Sequence, residues 1–91
     1  MTQTFSLTPA AADIALLHES LSALEGGRAV FADKHWKVAG SLSVGEFVER
    51  DAFGRSGFTL TVTGLDGDFI ATGVWSDDSC GNAASEAYVV V

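Results

Sequence analysis

The sequence predicts an α+β fold, with one N-terminal amphipathic helix packed on a four- to five-stranded antiparallel sheet, as a single domain over residues 1–91. Three observations carry this prediction. One helical period opens the chain, alternating segments rich in Val, Phe, Thr and Trp follow it, and the joints between those segments are too short or too polar for crossover helices. At 91 residues a second core is implausible, and 47% hydrophobic against 19% charged residues lies far from the compositions of disordered chains.

The helix is predicted from Thr8 to Glu25. Thr8 stands as N-cap, Pro9 occupies the first helical position where its missing N–H costs nothing, and Gly26-Gly27 stops the helix. Ala10, Ile14, Leu17, Leu21 and Leu24 recur at spacings of three and four and form the stripe that must be buried. Ala12, Leu16 and Ala23 lie on the opposite side with Glu19 and Ser20, a weakly hydrated outer face. Leu16 and Glu19 are therefore candidate dimer or partner contacts.

Beyond the glycines the strands are predicted at Arg28–Asp33, Trp36–Val44, Gly57–Thr63, Asp68–Trp75 and Ser85–Val91. Glu46–Arg50 is a further strand or a continuation past a bulge at Gly45. Asp66-Gly67 marks a two-residue hairpin that pairs Leu65 with Asp68. That register puts Phe58, Leu60, Val62, Phe69, Ala71 and Trp75 on the core face, and Thr59, Thr61, Thr63, Ile70, Thr72 and Val74 on the wet one. Asp51–Arg55 and Ser76–Ala84 have loop composition, and the second, with Asp77, Asp78 and Cys80, is the expected seat of a specific contact.

Charge excludes whole classes of function. The formal net charge is −7, and the basic residues all lie in the middle of the chain, between Arg28 and Arg55. Residues 56–91 carry Asp66, Asp68, Asp77, Asp78 and Glu86 with no Lys or Arg. A chain so charged repels a phosphate backbone, so direct nucleic-acid binding is not expected; a basic protein surface, including one that normally holds nucleic acid, attracts it. No apolar run approaches the roughly 20 residues of a membrane-spanning helix. A lone Cys80, and an opening Met1–Leu7 without basic residues or an apolar run, lead us to expect a reducing, cytoplasmic setting.

The chemistry-bearing residues yield no catalytic constellation. Asp66 and Asp68 are explained by hairpin chemistry and lack the further ligands of a calcium loop. One Cys and two His far apart do not make a zinc site, no phosphate-binding glycine loop is present, and no cofactor or metal is expected. His18 flanks the helix stripe and is expected with its ring half buried.

These observations lead to the expectation of a non-enzymatic interaction protein, an inhibitor or adaptor. Its acids Asp66, Asp68, Asp77, Asp78 and Glu86 would engage a basic surface of a larger protein. Small phage inhibitors that occlude nucleic-acid sites by imitating their ligand, CRISPR inhibitors among them, are similar in size and charge, with no motif in common. A homo-oligomer is the alternative, built through Leu16 and a C-terminal strand in which Tyr88 and Val90 would meet another copy. A small-ligand site or enzyme using His35 or Cys80 beside Trp36 and Trp75 is a third reading.

Overall fold

In a computed structural model the chain is one helix on one antiparallel sheet, described here for residues 2–7, 13–32, 37–64, 66–76 and 86–90. The elements in order are β1 (Thr2–Ser6), α1 (Ile14–Ser22), β2 (Arg28–Ala32), β3 (Lys37–Val44), β4 (Gly57–Gly64), β5 (Phe69–Trp75) and β6 (Glu86–Val90). The strands lie side by side in the order β1-β6-β2-β3-β4-β5, each antiparallel to its neighbours. The α+β reading therefore holds, with one more strand than expected, because Thr2–Ser6 joins the sheet beside β6.

Within α1 the predicted stripe is the packed one. Ile14 and Leu21 are buried and Leu17 and Leu24 lean on the same core. The predicted cap at Thr8, with Pro9, Ala10 and Ala12, lies outside the described residues. The helix ends three residues before Glu25, since its last turn tightens: Leu24 N–H donates to Leu21 O and Glu25 N–H to Ser22 O, at 3.0 and 3.2 Å. Gly26, at φ +84°, then turns the chain so that its N–H reaches Leu42 O at 2.8 Å.

The core lies between α1 and the sheet. Leu7, Ala29, Phe31, Leu42, Phe58, Leu60, Val62 and Val74 are buried there with the helix stripe. Full burial of each large apolar side chain contributes roughly 1.5–3 kcal/mol, which makes this layer the main source of stability. His18 sits at its margin as expected: Nε2 is 2.9 Å from Gly45 O, and the ring meets Phe58 edge-on at 4.8 Å.

The β4–β5 hairpin corrects the predicted register. Thr63 pairs with Phe69, Val62 with Ile70 and Phe58 with Val74, one residue out of step with the expected alignment. Gly64 N–H bonds to Asp68 O, leaving three loop residues rather than two, and Gly67 supplies the left-handed position such a loop requires at φ +87°. An odd loop reverses the facing of the whole second strand. Ile70, Thr72 and Val74 thus face the core, while Phe69 is 66% exposed and Ala71 and Trp75 lie on the other side.

Two further expectations are settled by pairing. Glu46–Arg50 is no separate strand: from Val44↔Leu60 to Val48↔Gly57, one chain advances four residues while the other retreats three, which is the bulge beyond Gly45. The C-terminal strand is not an edge, because Tyr88 pairs with both Thr4 and Val30, and Val90 with both Thr2 and Arg28. Its backbone is engaged on both sides, so it offers another copy no free strand edge at Tyr88 and Val90.

Candidate functional site: two unlike faces of one sheet

Of the acids predicted to form a patch, the described residues place Asp66, Asp68 and the backbone of Glu86. Asp66 and Asp68 are exposed at the β4–β5 hairpin and line a small depression with Lys37, a cation from the middle of the sequence. Glu86 begins β6 opposite Ser6 and Ala32. Three strand spacings, about 14 Å, separate β6 from β4. Asp77, Asp78, Cys80, His35 and Trp36 lie outside the described residues.

A second group of carboxylates lies along the helix. Asp13, Glu19 and Glu25 border α1, all exposed, and residues 13–27 contain no Lys or Arg. The segment after β3 adds exposed Glu46 and Glu49, and it is tied to the helix side through Gly45 O on His18 and the Phe47 ring 5.5 Å from that imidazole. Glu25 Oε1 accepts the Val44 N–H at 3.0 Å, linking helix end to strand end. Leu16 is 64% exposed, on the outer helix face with Glu19 and Ala23.

The middle third sums to nearly zero in sequence, and its cations are dispersed: Arg50 is exposed next to Glu49, and Lys34 lies outside the described residues. Arg28 and Lys37 occupy outward positions on the opposite face of the sheet. Arg55 Nε is 3.0 Å from Asp51 Oδ2, the one ion pair within 4 Å among the described residues, and its guanidinium lies 5.2 Å from the centroids of both Phe53 and Trp75. Asp51 also accepts the Phe53 and Arg55 backbone N–H groups at 2.8 and 2.9 Å. The Arg55 N–H, chiefly, with the Phe53 N–H and the guanidinium, holds the Asp51 carboxyl below its usual range against the opposing effect of burial. The loop Asp51–Arg55 is therefore fastened from within, yet it leaves Phe53 81% exposed.

The face of the sheet away from α1 has a different chemistry. Apart from Lys37, its outward residues are short on β3 and β4, where Ala39, Ser41, Ser43, Thr59, Thr61 and Thr63 alternate with the core positions. Phe69, Ala71, Gly73 and Trp75 continue it on β5, and Val30 and Ala32 on β2. None of the outward residues of β2 to β5 is a carboxylate. Trp75 lies across Gly57 and Gly73, where an added Cβ would collide with the indole. Beside β2 and β3 the face carries a depression of about 530 Å³, lined outwardly by Arg28, Val30, Ala39 and Ser41.

No protein-family model, curated protein sequence or solved structure matches the chain. No helix among the described residues is long and apolar enough to cross a membrane.

Proposed function

We propose that the protein is a non-enzymatic interaction domain, an inhibitor or adaptor that docks on a basic surface of a larger protein. Its docking side is the one that carries α1. The supporting observation is the set Asp13, Glu19 and Glu25 along α1, all exposed, with exposed Leu16 beside Glu19 on the outer helix face, and exposed Glu46 and Glu49 in the segment tied to His18. Carboxylates of this kind steer a cationic partner into encounter, and a central apolar residue supplies the part of the affinity that salt does not screen. Asp66 and Asp68, held beside Lys37, would act as a secondary contact.

The test is capture of partners from the native host at low salt, followed by association kinetics with the retrieved protein. Wild type should retrieve a basic protein that rising salt elutes. A Glu19→Gln, Glu46→Gln, Glu49→Gln variant should associate about tenfold more slowly at low salt and show a flatter salt dependence. An Asp66→Asn, Asp68→Asn variant should lose less. An association rate that neither variant changes would refute the reading.

A further inference from the structure

We infer that Asp66-Gly67 is a modification site, where the chain rearranges its own backbone to isoaspartate at a rate set by opening of the β4–β5 hairpin. This is independent of the docking reading, in which Asp66 is a secondary contact.

The sequence supplies the reactive pair. A backbone nitrogen can attack the carboxyl carbon of the aspartate that precedes it, and a glycine presents that nitrogen with no Cβ in the way. Asp66 alone among the aspartates is followed by glycine. In the reaction the Gly67 nitrogen bonds to Asp66 Cγ, the amide proton and the carboxyl OH leave as water, and a cyclic imide closes. Water then adds back at either imide carbonyl. Opening at Cγ restores aspartate, whereas opening at the main-chain carbonyl leaves the backbone running through Cβ and Cγ, with the former Asp66 carbonyl carbon as a free carboxylate. No oxidant, cofactor or partner is consumed.

The loop geometry sets the rate. Asp66 and Gly67 are exposed at the hairpin tip, and a Cβ added to Gly67 would meet nothing within 4 Å, so the carboxyl and solvent have room to approach. In the closed loop, however, Gly67 N–H donates to Gly64 O at 3.1 Å, and Gly64 N–H closes the loop on Asp68 O. The Gly67 nitrogen is held until those bonds break. Little secures that end of the hairpin: Asp66, Gly67 and Asp68 are exposed, and Phe69, the partner of Thr63, is 66% exposed. Such a segment opens locally at small cost. The product inserts one backbone atom into the loop and shortens the arm of the carboxylate, so the charge moves within the depression that Asp66 shares with Lys37 and Asp68.

Incubation of the full chain in mildly acidic buffer, folded and in urea, tests this by peptide mapping, with an isoaspartyl methyltransferase to label the product. The unfolded chain should accumulate isoaspartate at position 66 faster than at any other aspartate. The folded chain should do so at least about tenfold more slowly, the factor set by a local opening cost of about 1.4 kcal/mol. Phe69→Gly, or Thr63→Gly opposite it, removes half of an exposed cross-strand pair and frees the strand backbone. Either should raise the folded rate about threefold or more, with circular dichroism showing the fold retained. Asp66→Glu, whose longer side chain closes no such ring readily, should leave position 66 unlabelled. A folded rate equal to the unfolded one, a folded rate that both hairpin variants leave unchanged, or an unfolded chain that favours another aspartate would overturn the inference. None of these results bears on capture of a basic partner.

Discussion

The two faces of the sheet are built from the same alternating strands and have opposite fates. Toward α1, Leu42, Phe58, Leu60, Val62 and Val74 are buried and hold the molecule together, with acids arrayed on the helix beyond them. Away from α1, the alternate residues are Ser, Thr, Ala and Gly, and they stabilise little. The difference teaches that a strand's period fixes only that two faces exist. Which residues enter the core is decided by loop parity, and which charges stay available is decided by where the cations fold.

The sharpest way to probe that contrast is to cut into the helix-side core. Phe58→Ala removes a fully buried ring that also supports His18, and should cost about 3–5 kcal/mol in chemical denaturation. A cost under about 1 kcal/mol would mean the core is not where the structure places it. Next in size is Gly57→Ala. The added methyl meets the Val74 carbonyl and the Trp75 ring, so a loss of about 1–3 kcal/mol is expected. At Gly73 the obstruction is the Trp75 side chain alone, so Trp75→Ala should rescue Gly73→Ala in a double-mutant cycle, and strict additivity would deny the contact.

Acid should loosen the exposed aromatic loop before it touches the core. Because the folded Asp51 carboxyl titrates below its unfolded value, its contribution is present above about pH 4 and is lost as pH falls through the lower, folded value. Protection factors of the Phe53 and Arg55 amides, taken relative to the intrinsic exchange rate at each pH, should fall over that window, and Asp51→Asn should abolish that fall. Protection that ignores both changes would sever the link between Asp51 and the loop. The smallest effect belongs to Thr59→Val on the exposed face, expected within about 0.5 kcal/mol of wild type.

Much of this architecture is legible in the residues. The spacing of Ile14, Leu17, Leu21 and Leu24 specifies the packed side of α1, and Gly26 specifies its stop. Phe58, Leu60 and Val62 name the core side of β4. The facing of β5 was not legible, because Asp66-Gly67 suits both a two-residue turn and a three-residue loop with Gly67 left-handed, and one residue separates the two outcomes. β1 escaped notice because Thr2–Ser6 is short and polar and acquires its strand character only by pairing with β6. Charge along the chain does not say where each cation folds: Arg28 and Lys37 occupy the other face and Arg55 pairs with Asp51, while Arg50 stays exposed beside Glu49.

Hydroxyl-radical footprinting of the protein, alone and with its captured basic partner, tests the division between the faces most directly. The partner should shield Leu16 and Phe47 beside the helix-side acids and leave Phe53 and Phe69 as reactive as in the free protein. Shielding of Phe53 and Phe69 by the partner, with Leu16 untouched, would contradict it.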